Sequence, residues 1–475
     1  MLDRVIRNGL VVTPHGAGIW DVGIKGEKIA AVAAPGQLPA EGAEVIDATG
    51  KILVPGGIDP HIHSKFAVMD AGRVIEYTGA PPQVSKAALH GGTTTLIDFA
   101  MVEKGDSIQA ATERRMADFK GQTYCDFAFH IMFGQGHYSM EVIDQVPEAI
   151  AAGYASIKIF TTDVLPNKQI LGVPHGDIWE LLNVVAKAGG ISAIHAEDDE
   201  LVQHNYEKFI AAGKTHFTHM PEVHTKLSEE LSYKRIIGMA QHIEGAAIYM
   251  VHVSAEEGVA AIAESRAKGF PVYGETLHQY AMYSADKAYP RPNGQMYHTY
   301  PSLKYDRDRK ALWNGLYDGT IGCVATDELC TTLKIKTAGD RIDNVTGGNS
   351  GCEPRMGIVF TEAVGRRGFS LSQFVDITSA NAAKYFGMYP RKGALQPGSD
   401  ADICIIDPSI HKRLELSDLH ETDYSPWEGW EILGWPVMTL MRGKVVVKDG
   451  TFKAELSDGQ WLRRKVSEGA LFGRH

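Results

Sequence analysis

A chain of 475 residues is too long for a single compact core, and it predicts a large domain accompanied by something smaller. Hydrophobic residues at 44% and charged residues at 22% exclude a disordered or fibrous chain. A formal net charge of −11 argues against nucleic acid or an anionic membrane surface as the main partner, because both select clustered Lys and Arg.

Residues 1–52 read as short strands separated by Gly-rich turns, in VIRNGLVVT, DVGIKGEKIAAV and EVIDATGK, the pattern of a small β-sheet unit. The opening MLDRVIRNGLVVTPHG lacks the apolar core of a signal peptide, and no stretch reaches the roughly 20 apolar residues of a membrane span. A cytoplasmic protein without a membrane partner is expected. Apolar strand candidates then follow at 52–58, 94–100, 126–133, 154–160, 191–196, 247–253, 271–276 and 321–327. Helical patterns fall near 84–90, 107–119, 177–188, 228–241, 256–268, 308–318 and 356–366. Eight strands alternating with helices predict an α/β fold, a (β/α)₈ TIM-like barrel. The alternative is a doubly wound open sheet, but no Gly-rich phosphate turn follows an early strand.

Strand patterns return at 400–450, so the two chain ends are expected to close into one small β-sandwich. The expected organisation is 1–53 as the first part of that sandwich, 54–386 as the barrel, and 387–475 as the rest of the sandwich plus a tail. From 411 onward the aromatic patches DYSPWEGW and GQWLRRK suggest packing on a neighbouring domain or subunit. Five cysteines without a CxxC pair make a disulfide framework or a thiolate metal site a poor reading. Cys330 and Cys352 follow the eighth strand and fit a loop or core position better than the pocket.

The chemistry-bearing residues stand at strand ends. In HIH, His61 and His63 are two apart in an extended segment, so both imidazoles face one side and can reach one metal. Lys158, in SIKIF, sits in an interior segment where a bare ammonium is costly; a salt bridge is one solution and reaction with carbon dioxide to an anionic carbamate another. His195 and His252 end two further strands; either alone reads as a core histidine, both together as ligands. Asp327, in VATDE, can bind a cation weakly and accept a proton as general base, while Glu328 beside it should point elsewhere, either as a structural residue or as a support behind the ligands. His216, His219 and His224 read as a surface segment or pocket rim, His130 as interior packing, and His278 and His298 as bordering the pocket.

The segments GGIDPHIH, GGTTTLIDF, SIKIF, IHAED, VHVS, YGET, the ATD strand, ITSANAAKYFGMYPRKGALQPGSDADICIIDP and DYSPWEGWE resemble the dihydropyrimidinase and hydantoinase branch of the amidohydrolase superfamily. The resemblance spans nearly the whole chain and implies two divalent metal ions, usually zinc, in a barrel flanked by a β-sandwich. It implies His61, His63 and Asp327 on one ion, His195 and His252 on the other, and carboxylated Lys158 between them. A metal-bridging hydroxide would then open a cyclic amide, imide or ureide, with Asp327 moving the proton to the departing nitrogen. The implied partner is a small cyclic amide, and the implied assembly a homotetramer or homodimer. Other amides, carbamates or lactones, or a non-catalytic scaffold that kept its metals, are the alternatives.

The resemblance fails around the substrate. The tyrosine usual five residues beyond the bridging lysine is Asp163 here, leaving Tyr154, Thr161 or His175 as stand-in donors. Where a serine is usual before the proline of HTYPSLK stands Tyr300, with Ser302 just beyond, and the usual asparagine near the later Gly-Gly maps loosely to Asn349. Lys65, right after the paired histidines, is expected either to grip an anionic ring substituent or to be solvated.

Overall fold

The computed structural model describes all residues except 71–72, 135–139, 167–170, 349 and 474–475. Its centre is an eight-stranded sheet of parallel neighbours. In chain order the strands are Gly57–Asp59, Thr93–Met101, Asp126–Met132, Ser156–Phe160, Ile191–His195, Ala247–Met250, Val272–Leu277 and Cys323–Ala325. Nearly every residue of these strands is buried, as expected of parallel strands covered on both faces. The first and last strands meet just past their ends, where the His63 amide donates to the Glu328 carbonyl at 2.7 Å. The barrel is thereby closed by the two segments that carry candidate ligands.

Helices predicted between the strands are present, including His175–Ala188, Lys226–Gln241, Glu256–Ala267 and Asp306–Asp318. Side-chain caps begin several of them: Thr225 accepts from the Ser228 amide, and Asp198 from the Leu201 amide. The expected helix over 356–366 is one α-turn, Arg355–Val359, continued by a π-helical stretch. None of the described helices is long and apolar enough to cross a membrane.

The strand expected over 52–58 is two strands. Ile52–Pro55 belongs to a separate nine-stranded sheet, and Gly57–Asp59 starts the barrel. The break falls at Gly56, where a Cβ would sit 2.3 Å from Thr94 Oγ1, so only glycine lets the chain pass against the second strand. The separate sheet unites both chain ends: Ile52–Pro55 pairs antiparallel with Ile403–Arg413. It curls over a shared interior in which Ile24 and Ile29 pack in one cluster with Met438 and Leu440.

The aromatic tail serves its own chain. Trp427 is fully buried and stacks on His278 at 4.4 Å, while Trp461 bridges to Phe127 of the third strand. Exposed aromatic area is costly in water, and packing on its own chain buries Trp427 fully and Trp430 and Trp461 in part. The five cysteines are all free and buried, and neither Cys330 nor Cys352 lines the cavity described below.

Candidate functional site

The C-terminal ends of the barrel strands surround a cavity of about 550 Å³. His61, His63, Lys158, His195, His252 and Asp327 all line it, brought from five different strand ends. His61 and His63 point their Nε2 atoms at one oxygen of Asp327, at 3.2 and 3.0 Å. Donor atoms of these three lie within 4.8 Å of one another, close enough to share one cation. The His195 and His252 rings meet edge to face at 4.5 Å, and His252 is 5.6 Å from His61. His252 and Asp327 each have a left-handed backbone, φ 40° and 50°, uncommon outside glycine. Such strain at two strand ends that carry chemistry marks a functional position.

Burial fixes the protonation states. It pushes the imidazoles of His63, His195 and His252 below their usual range, so their lone pairs are available. Burial works against ionising Asp327, yet the imidazoles of His61 and His63 beside it hold its carboxyl below the usual carboxylate range. Lys158 is 1% exposed, and its Nζ has no hydrogen-bond partner among the described residues. Desolvation lowers this amine to about 7, against the pull of Asp327 and Glu275. A salt bridge, the ordinary solution for a buried lysine, is not made among the described residues.

A second layer of carboxylates orients the imidazoles. Glu275, on the seventh strand, pairs with His61 Nδ1 and accepts from the Tyr249 hydroxyl at 2.8 Å, leaving His61 Nε2 to face Asp327. Glu197 pairs with His195 Nε2 at 3.0 Å and with His224 Nδ1 at 2.9 Å, and His224 Nε2 meets the Tyr206 hydroxyl at 2.9 Å. Such partners lock ring orientation and tautomer. Burial opposes ionising Glu197, but His224 and His195 hold its carboxyl below the usual range.

His224 is therefore a correction to the surface reading of HFTHMPEVH. It is fully buried, whereas His216 is exposed and His219 part-exposed. His130 is interior as expected, bonded to the Pro60 carbonyl and Ser156. His278 and His298 do not border the cavity. His278 lies under Trp427 and His298 against Tyr289. Glu328 accepts the amides of Gly351 and Cys352, a structural role. Nothing in the sequence singles out Glu275 or Glu197 as partners, although Glu197 lies two residues beyond His195 and Glu275 falls in the YGET segment.

The substrate-side residues are placed unevenly. Tyr300 lines the cavity, its hydroxyl donating to the Val345 carbonyl at 3.0 Å. Ser302 is buried behind it beside the Lys304 ammonium. Asp163 lies outside the cavity lining and accepts the Leu171 amide at 2.7 Å, and Leu171 stands in the wall. Lys65 is exposed and ion-paired with Asp118 at 2.5 Å, outside the lining, because the nearer carboxylate captures it. Tyr154, Thr161 and His175 also lie outside the lining, and Asn349 lies outside the described residues. Much of the wall is apolar, with Phe66, Val68, Leu165, Leu171 and Leu329. Buried Lys336 donates to the carbonyls of His298 and Thr346, tying two wall segments together.

Comparison with known proteins agrees with this geometry. The Amidohydrolase family matches residues 52–446. The D-hydantoinase of Geobacillus stearothermophilus is 32% identical, over 99% of this chain and 98% of its own. The D-phenylhydantoinase of an Escherichia coli strain is 32% identical over 97% and 98%. The solved dihydropyrimidinase of Brevibacillus agri superposes with a TM-score of 0.90 at 33% identity, covering 98% of this chain and 99% of that one. A D-hydantoinase structure from a Bacillus species reaches 0.91 at 33% identity, covering 98% and 100%. With the barrel, the strand-end site and full-length similarity together, the chain belongs to the amidohydrolase family, in its hydantoinase and dihydropyrimidinase branch.

Proposed function

We propose that this chain is a metal-dependent hydrolase that opens a cyclic amide, imide or ureide at a C–N bond. One observation carries the reading: four imidazoles, a carboxylate and an unpartnered buried amine converge on one cavity at the barrel mouth. His61, His63 and Asp327 would hold one divalent ion and His195 and His252 a second, with carboxylated Lys158 bridging; zinc suits such nitrogen and oxygen donors. When bound, these ions polarise a carbonyl and acidify water.

Lys158 fits the bridging role because its amine is both reachable in the neutral form and unsatisfied. The neutral nitrogen adds to carbon dioxide, a N–C bond forms as one C=O π pair moves to oxygen, one N–H proton passes to solvent water, and a neutral amine becomes an anionic carbamate. Asp327 is the proton carrier. Its ionised carboxylate takes a proton from the attacking water and delivers it to the departing ring nitrogen. The Thr299 hydroxyl, 3.3 Å from Asp327 Oδ2, keeps the second oxygen turned into the cavity. The product is an opened ring bearing a new carboxylate. The apolar wall excludes bulk water and takes the non-polar part of the ring. A cytoplasmic homodimer or homotetramer completes the reading, supported by family resemblance.

Turnover of dihydrouracil, hydantoin and phthalimide by zinc-replete and chelated protein tests it. At least one ring is opened, chelation abolishes the reaction, and zinc with bicarbonate restores it. Metal-replete protein that opens none of these rings, or opens one equally well after chelation, refutes the proposal.

A further inference from the structure

Tyr300 stands one residue from the reacting centre. Thr299, just before it, donates to Asp327 Oδ2 at 3.3 Å, and all three residues line the cavity. Among the described residues the cavity is lined by three phenyl or phenol rings, those of Phe66, Phe160 and Tyr300. Phe66 and Phe160 pack with Met101, Met132 and Leu171 into one apolar wall, carried at or just after the ends of the first four strands. Tyr300 reaches the cavity separately, from the loop between the seventh and eighth strands.

Its ring is held in one place. Gly347 is the seat: a Cβ there would come within 2.7 Å of two carbons of the Tyr300 ring. Ring and backbone can touch so closely only because residue 347 is glycine. The His298 ring meets Tyr300 edge to face at 4.7 Å, and the His224 ring lies 5.3 Å away. Lys336 joins the segment bearing the ring to the segment bearing its seat, through the His298 carbonyl at 2.8 Å and the Thr346 carbonyl at 2.6 Å.

The hydroxyl is already engaged. It donates its one proton to the Val345 carbonyl at 3.0 Å, so what Tyr300 offers a ligand is a flat, immobilised ring and not a hydrogen bond. A side chain fixed before binding loses no rotamer freedom when the ligand arrives.

We infer that Tyr300, seated on Gly347, is a specificity-determining residue that selects flat, conjugated rings, the arene-fused cyclic imides, over puckered saturated rings such as dihydrouracil. The inference rests on the ring-opening activity proposed above and names its substrate class. A planar ring stacks between the Phe–Met wall and the fixed phenol with its carbonyl carbon facing the strand ends. A puckered ring carries out-of-plane hydrogens that hold it off an aromatic face. Offset stacking of two aromatic rings favours the flat substrate by about two- to tenfold beyond the area it buries.

The test is the kcat/KM for phthalimide divided by that for dihydrouracil. Both are measured on one preparation of each zinc-replete protein, so the folded fraction cancels. Tyr300→Phe keeps the ring and should hold the ratio within about twofold of wild type, while Tyr300→Ser should lower it by up to about tenfold. Gly347→Ala pushes a methyl group into the seat, displaces the ring and should lower the ratio in the same direction. The double variant should fall no further than Tyr300→Ser alone, because both changes remove the same surface. An unmoved ratio in Tyr300→Ser or in Gly347→Ala overturns the inference, as do losses that multiply in the double variant. A fall in Tyr300→Phe as large as in Tyr300→Ser also overturns it, since the hydroxyl and not the ring would then decide. Each of these leaves the proposed hydrolase standing, and so does wild type that opens dihydrouracil alone, which overturns only the ring preference. Wild type that opens neither ring overturns both readings.

Discussion

Lys158→Met should abolish catalysis and at the same time make the metal-free protein more stable. The Lys158 amine is buried without a hydrogen-bond partner, so methionine of similar length removes a penalty without breaking a bond. Desolvation, partly offset by Asp327 and Glu275, brings the amine from 10.5 to about 7, a difference of about 5 kcal/mol. Above pH 10.5 both folded and unfolded chains carry a neutral amine, and the penalty is nil. As pH falls toward 7, the unfolded chain takes up a proton that the folded chain does not, and stability drops by about 1.4 kcal/mol per pH unit. Below 7 the penalty is complete. At pH 7 the metal-free, carbonate-free variant should therefore exceed wild type by about 3–5 kcal/mol, and the gap should close near pH 10. A chain of 475 residues gains roughly 1 kcal/mol per degree in this range, so the midpoint rises by about 3–5 °C. The assay is thermal denaturation of both proteins in chelator and carbon-dioxide-free buffer at pH 7 and 10. Equal midpoints at pH 7, or a gap that widens with pH, refutes the reasoning.

Three further outcomes follow from the geometry. Glu197→Gln removes the charge between His195 and His224, and should lower cavity metal affinity or ring-opening rate by about 10–100-fold with the fold retained, read by zinc titration and steady-state kinetics. Lys392 is buried among Asp126, Asp402 and Asp400 at 2.6–3.1 Å, where the barrel meets the separate sheet. Lys392→Met should cost about 3–5 kcal/mol in denaturant unfolding while KM of the remaining folded enzyme stays unchanged. Lys65→Ala should leave turnover of neutral and carboxylated rings alike unaffected, since Asp118 holds the ammonium outside the cavity lining; a selective loss on carboxylated rings refutes that placement.

The barrel and the candidate ligands were legible in the sequence because each rests on local chemistry. Apolar runs of strand length alternate with helical periods, and a histidine, lysine or aspartate stands at the end of a run, as in SIKIF and VATD. Residues acting at a distance were not legible. His224 looks like a loop histidine beside His216 and His219, and only folding buries it against Glu197 and Tyr206. Lys65 looks poised for substrate until Asp118, on the next helix, takes its charge. The seating of Tyr300 on Gly347, from a different loop, has no local signature at all. Period and composition determined which segments become strands and which side chains end them, since both depend on neighbours a few residues away. The tertiary structure alone decided which charge meets which, because desolvation and ion pairing depend on what the whole fold brings within a few ångströms.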